Sequence, residues 1–252
     1  MSGHSKWATI KRKKGAADAK RGQVFTRLTR EIVLAAREGG GELESNFKLR
    51  LAVEKAKSNN MPKDNIERAI RRGTGEDREG VALEQILYEG YASHGVALLI
   101  ECVTDNRNRA VADVRRLLTR AGGSLGEAGS VGWQFQRKAY FAIPAEGTNS
   151  DQVFEMAVEA GADDVVIGED VIEIYAPVES FKAIGERLTQ AKIKPEETSL
   201  RMEPQQKVTL GVDDTVQVMK VIEGLEELDD VQAVFSNLQI TDEAVAAMEA
   251  AG

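Results

Sequence analysis

Along residues 18–37 the apolar positions Val24, Phe25, Leu28, Ile32, Ala35 and Ala36 fall on one arc when the chain steps about 100° per residue. That spacing predicts an amphipathic helix, which Gly39, Gly40 and Gly41 end. A second helix is predicted from about Ser45, a good N-cap residue, through Leu49, Val53 and Ala56 to Lys57. Pro62 opens a third, carrying Ile66, Ala69 and Ile70 and closing at Gly73. Residues 73–80 are glycine-rich and charged and read as a linker.

Beyond this point the period shortens. Residues 86–91 and 96–104 are predicted strands and residues 108–121 a helix. A glycine-rich loop, residues 122–132, leads to a short predicted strand at 133–135. Residues 139–202 then give strands at 140–143, 165–167, 171–175 and 197–202, with helices at 151–160 and 177–191. That βαββαβ order is the ferredoxin-like arrangement. The remainder offers a strand at 208–211, a helix at 213–228 and a strand at 231–237. Neither this βαβ fragment nor residues 81–136 covers a sheet alone, so the two are expected to share one. The predicted fold class is therefore α+β: a helical N-terminal domain followed by two α+β, ferredoxin-like domains, one inserted in the other. The expected boundaries are 1–80 for the basic helical domain with its arm, and 81–136 plus 205–240 for the split domain. The insert takes 137–204, and 241–252 forms a C-terminal tail.

Charge changes the picture more than composition does. The chain carries a net −8, but residues 1–80 hold 19 Lys/Arg against 11 Asp/Glu, while residues 81–252 hold 14 against 30. A basic end on an acidic body is the polarity expected when one end meets phosphates. No apolar run approaches the roughly 18 residues a membrane span needs. The basic, small start at residues 6–21 lacks the apolar run of a signal peptide, and with Met1 leading straight into it no transit segment is expected. A cytoplasmic location follows as the expectation. Cys102 stands alone inside an apolar run, which excludes a disulfide framework and favours a buried strand position over a reactive thiol.

The strongest candidate contact is the arm: Lys6 and Trp7, then Lys11, Arg12, Lys13 and Lys14, then Lys20 and Arg21. Lysine and arginine neutralise phosphate, and an indole offers a stacking surface for an unpaired base. On the first helix Lys20, Arg27, Arg30 and Arg37 cluster opposite the apolar stripe, flanked by Glu31 and Glu38, with Arg21 outside the arc. Lys57, Lys63, Arg68, Arg71 and Arg72 extend the surface or form an ordinary solvated face. A second candidate is the polar turn Thr104-Asp105-Asn106-Arg107-Asn108-Arg109. Asp105 or Asn106 can cap the following helix, but Arg107 and Arg109 oppose its dipole. Either an anionic partner meets these two arginines, or acids of the inserted domain do.

Signals for enzymes are weak. Gly123, Gly126 and Gly129 follow a helix and precede a strand, the reverse of a dinucleotide site, and read as a flexible or contact loop. His4 and His94 have no ligand-spaced partners. The adjacent pairs Asp163-Asp164 and Asp229-Asp230 read as solvated turn acids. No enzyme activity, cofactor, metal or small-molecule substrate is expected.

Several long blocks carry a resemblance. They are Gly3-His4-Ser5-Lys6-Trp7 with its basic run, Asp18-Ala19-Lys20-Arg21-Gly22, and Asn60-Met61-Pro62-Lys63-Asp64-Asn65-Ile66-Glu67-Arg68-Ala69-Ile70. Tyr88-Glu89-Gly90-Tyr91, the turn at 104–109, and Gly122-Gly123-Ser124-Leu125-Gly126 complete the set. In this order they resemble the YebC family over almost the whole chain. The resemblance implies a helical first domain and two α+β domains, the third inserted in the second. It also implies a role in gene expression. Members are described as DNA-binding transcriptional regulators, and others as translation factors, including a mitochondrial activator of cytochrome oxidase synthesis and factors acting at the ribosome on proline-rich stretches. Expected partners are thus DNA, or ribosomal RNA and tRNA. Where the family commonly has a Gly-Pro-Gly-Gly-like turn after the tyrosines, this chain has Ala92-Ser93-His94-Gly95.

Overall fold

In the computed structural model, which describes residues 18–77 and 83–250, the apolar arc of the first segment becomes helix α1, Asp18–Gly39. Leu28, Ile32, Val33, Ala35 and Ala36 pack against α2 (Phe47–Ser58) and α3 (Lys63–Thr74) through Leu49, Val53, Ala56, Ile66 and Ala69. Gly40, with φ +83°, turns the chain out of α1. The cap of α2 is Asn46 rather than Ser45. The buried Asn46 accepts from the Leu49 amide at 3.0 Å, and its own amide donates to the Ala35 and Gly40 carbonyls at 2.7 and 2.8 Å. One side chain thus satisfies groups at the end of one helix and the start of the next. Helix α3 also runs past its predicted stop at Gly73 to Gly75, the residue in the left-handed conformation. Gly73 serves close packing instead, because a Cβ there would lie 2.5 Å from the Val33 carbonyl oxygen.

The second part is a four-stranded antiparallel sheet, order β3-β1-β2-β9, of β1 (Glu84–Tyr91), β2 (Ala97–Thr104), β3 (Ser124–Leu125) and β9 (Val231–Ser236). Strand β2 is buried on both faces, which explains its unbroken apolar run. Leu98, Ile100 and Cys102 meet α4 (Arg107–Arg120), α7 (Val212–Glu226) and α8 (Asp242–Ala250). Ala97 and Leu99 meet Val131, Phe135, Met202 and Phe235 on the other face.

Between β3 and β9 in the chain lies the inserted βαββαβ unit: β4 (Phe135–Pro144), α5 (Ser150–Glu159), β5 (Asp164–Ile167), β6 (Val171–Ala176), α6 (Phe181–Gln190) and β7 (Glu197–Pro204). Its strand order, β5-β6-β4-β7, is the ferredoxin-like one, with every pairing antiparallel. The fold class is α+β with a helical first domain and one α+β unit inserted in the other. Phe47 of α2 meets Phe181 of α6 edge-on, ring centroids 4.9 Å apart, so the helical domain rests on the insert.

Three elements differ from the spacing-based expectation. Trp133 sits in a 3-10 turn, Gly132–Gln134, and not in a strand. Strand β8 covers Val208–Thr209 and pairs in parallel with β10 (Leu238–Gln239), outside the main sheet. Residues 242–250, expected as a tail, form helix α8, whose Val245 and Met248 close the first sheet's core.

Candidate nucleic-acid interface

The structure sorts the N-terminal cations by what faces them. Lys6, Trp7, Lys11, Arg12, Lys13 and Lys14 lie outside the described residues, and of Lys20 and Arg21 the structure describes the helical backbone. Arg27 and Arg30, placed by their spacing on a free polar arc, turn toward the C-terminus of α7. The carbonyls there lack helical partners and carry partial negative charge. Arg27 donates to the Glu226 carbonyl at 3.2 Å and Gln23 to that of Glu227 at 3.4 Å. Arg30 donates to the Asp229 carbonyl and pairs with the Asp230 carboxylate at 3.2 Å. Its side chain is 15 % exposed and that of Asp230 is 7 %. In this arrangement the two arginines hold α1 against the α+β body.

Asp230 is the centre of this clamp and corrects its reading as a solvated turn acid. Besides Arg30 it takes Nε and Nη2 of Arg109 at 3.0 and 2.9 Å, a two-pronged guanidinium–carboxylate contact. Arg109 also reaches Asp105 at 2.7 Å. Hydrogen bonds to Asp230 and then Asp105 raise the guanidinium pKa above its ordinary value. The same contact to Arg109 lowers the Asp105 carboxyl below its own. Asn106 is the cap of α4, accepting from the Arg109 amide at 3.0 Å, which leaves Asp105 for the ion pair. The acids that meet Arg109 thus come from its own turn and from the turn before β9, not from the inserted unit. Arg107 differs from Arg109: it is exposed and has no ion pair among the described residues, and its carbonyl accepts from the Tyr88 hydroxyl at 3.4 Å.

A second group of cations lines a cleft. Lys48 pairs with Glu38 at 2.7 Å and Lys55 with Glu31 at 3.0 Å, along a cleft of about 480 Å³ between the helical domain and both sheets. Glu101, Glu197, Glu203 and Glu226 also line it. Burial opposes the Lys55 ammonium, but Glu31, with Glu197 and Glu101 farther off, outweighs burial and raises its pKa. A cleft so rich in carboxylates has the wrong sign for phosphate.

Arg37, Lys57, Arg68, Arg71 and Arg72 remain exposed, with no ion pair among the described residues, and Lys63 has a loose contact to Glu67 at 3.4 Å. Arg68, Arg71 and Arg72 stand at i, i+3 and i+4 on α3, opposite its buried Ile66, Ala69 and Gly73, so their guanidinium groups share one outward face.

The glycine-rich loop is held by a residue that spacing alone does not single out. Glu89 on β1 is 9 % exposed, and its carboxylate accepts from the Gly129, Val131 and Gly132 amides, each at 2.7 Å. Burial disfavours its charge, yet the three donors outweigh burial and lower its pKa. The loop is therefore a fixed turn. It displays Trp133, 71 % exposed, whose indole donates to the Ser130 carbonyl at 3.1 Å. A lone acid inside Tyr88-Glu89-Gly90-Tyr91 is the signal that could have found it, since a charge in a half-buried strand needs partners.

The Ala92-Ser93-His94-Gly95 turn places His94 at φ +61°, a conformation that favours glycine, with its Nε2 3.5 Å from Asp214. Cys102 is fully buried, and desolvation with nearby Asp230 and Glu101 pushes its thiol up to about 12. Among the described residues no group of His, Cys, Asp and Glu could hold a metal, and no helix is long and apolar enough to cross a membrane.

Fold and site together define a class: an α+β protein with an inserted ferredoxin-like unit and a helical domain that displays exposed arginines. The chain belongs to the TACO1/YebC family, matching its N-terminal domain over residues 5–76 and its second and third domains over residues 83–238. It is 48% identical over 250 residues to a probable transcriptional regulatory protein of Chlorobium phaeobacteroides, covering 99% of this chain and 100% of that one. A probable transcriptional regulatory protein of Desulforapulum autotrophicum is 49% identical over 248 residues, with coverage of 98% and 100%. The crystal structure of a conserved hypothetical protein from Aquifex aeolicus superposes with a TM-score of 0.82 at 42% identity, covering 89% of this chain and 93% of that one.

Proposed function

We propose that the chain is a non-catalytic regulator of gene expression that binds DNA and acts on transcription in the cytoplasm, without cofactor or small-molecule substrate. The carrying observation is the arc of Arg68, Arg71 and Arg72 on α3. This helix follows α2 after four residues, 59–62, with Asn60 in the left-handed conformation at φ +58°. A short turn between two helices, the second facing outward with its cations, is the local form in which helices enter a DNA groove. The basic run at residues 11–14 and Arg37 add phosphate contacts in this reading, and Trp7 a stacking surface. The relatives' name, probable transcriptional regulatory protein, agrees with it.

Crosslinking in cells, followed by sequencing of both the captured DNA and the captured RNA, tests the reading. Enrichment of promoter fragments is the expected result. Enrichment of ribosomal RNA or tRNA would replace it with a translation factor of the kind that assists synthesis through difficult, proline-rich stretches.

A further inference from the structure

Residues 81–252 are strongly acidic, yet α4 concentrates five arginines, Arg107, Arg109, Arg115, Arg116 and Arg120, against the single acid Asp113. Arg109 is taken up by the clamp at Asp230. Arg116 and Arg120, one helical turn apart, border a groove of about 470 Å³ between α4 and α7, with Lys220 on the opposite rim. Its floor is apolar, made by Leu117, Val221 and Leu228. The two helices approach closely beneath it, because a Cβ on Gly224 would stand 3.2 Å from Leu117 Cδ1. Arg120, Lys220 and Arg115 have no ion pair among the described residues, while Arg116 shares its charge with Asp113 at 3.0 Å.

From this arrangement we infer that the α4–α7 groove is a second nucleic-acid contact that takes a single strand. Phosphates lie on Arg116, Arg120 and Lys220, and a sugar and base face lie on the apolar floor. The inference rests on the nucleic-acid reading above and extends it from the helical domain to the acidic body. Three points favour a strand over an acidic polypeptide. Guanidinium forks at i, i+4 stand about 5–6 Å apart at their Cβ atoms, side by side for adjoining anionic groups. Gln217 on the rim carries both a donor and an acceptor, which one base edge can pair with at once, whereas an Asp or Glu side chain meets only the donor. Finally, the groove adjoins the place where α1 docks: Leu228 on its floor follows Glu227, whose carbonyl takes Gln23 of α1.

The test measures binding of a fluorescent 20-nucleotide single strand and of the corresponding duplex across a salt series. It uses the full chain, the triple variant Arg116→Gln, Arg120→Gln, Lys220→Gln, and the charge-keeping variant R116K, R120K, K220R. With three phosphates no longer neutralised, the slope of log affinity against log salt should flatten by about 2 for the single strand. The charge-keeping variant should retain the wild-type slope, and Gln217→Ala should weaken binding with the slope unchanged. A triple variant that folds and binds the strand like wild type overturns the groove. So does displacement of the strand by polyglutamate of equal charge at equal concentration, which would mark a site for acidic protein segments. In a separate full-length variant, Lys11, Arg12, Lys13 and Lys14 become glutamine. If that variant loses binding while the groove variant does not, the N-terminal reading survives and the groove falls. A wild-type chain that binds neither strand nor duplex overturns both.

Discussion

Helices α1 and α3 look alike as sequences, each with apolar residues on one arc and arginines on the other, yet their arginines do different work. Arg27 and Arg30 of α1 meet the end of α7 and the buried Asp230, and hold two domains together. Those of α3 face outward and meet nothing of the kind among the described residues. The difference lies in what stands opposite the helix, not in the helix itself. A polar arc becomes a docking face when an acidic domain is folded against it, and stays open to solvent when none is. In a chain with a basic end and an acidic body, internal pairing competes with nucleic acid for the same cations.

The largest expected effect is at Asp230. Asp230→Ala strips a buried carboxylate from Arg30 and Arg109. The loss should be about 3 kcal/mol, at the low end for breaking a buried pair because Arg109 keeps Asp105 and can turn to water. Urea unfolding reads that loss, and nucleic-acid affinity should hold or rise as Arg30 is released. A tenfold drop in affinity at unchanged stability would break the contrast between the two helices.

Glu89 sharpens it from the acidic side, as a carboxylate bound to backbone donors instead of arginine. Glu89→Gln leaves amide protons facing backbone amides and should cost about 2 kcal/mol, the worth of a charge-assisted hydrogen bond plus partial desolvation. The sign with pH is fixed by the lowered folded pKa. The Glu89 contribution is fully present above its ordinary value of 4.5 and is lost as pH falls through the lower folded value. Denaturation midpoints between pH 6 and pH 3 should therefore fall more steeply in wild type than in Glu89→Gln. Parallel curves would show that the three amides do not hold a charged carboxylate.

Much of the fold is legible in the sequence because it rests on periodicity. The α1 stripe and the βαββαβ run specify their elements locally, and two half-sheets that cannot stand alone point to each other. What is not legible depends on distant partners. Asn46 displaces Ser45 as a cap because it also reaches carbonyls at the end of α1. Trp133 carries a strand-favouring side chain, but Glu89, far off in the chain on β1, bends its loop into a turn. Helix α8 reads as a tail because its stripe is mostly alanine. At the interface, charge counting finds the basic end but cannot see Asp230 opposite Arg30, since nothing within either segment names the other. Arg115, Arg116 and Arg120 escape notice for the opposite reason: the net acidity of residues 81–252 hides a local run of cations.

In the proposed reading Arg68, Arg71 and Arg72 of α3 meet phosphates while Arg27 and Arg30 of α1 meet the protein, and salt dependence tests this contrast most directly. Duplex affinity would be followed from about 50 to 200 mM salt for wild type, for Arg68→Gln, Arg71→Gln, Arg72→Gln together, and for Arg30→Gln, with thermal melting alongside. With about six phosphates neutralised the wild-type slope should be near −5, and the α3 triple variant should flatten it by about 2–3 without lowering the melting temperature. Arg30→Gln should do the reverse, melting earlier with the slope kept. An unchanged slope in the triple variant, or a flattened one in Arg30→Gln at full stability, would contradict the account.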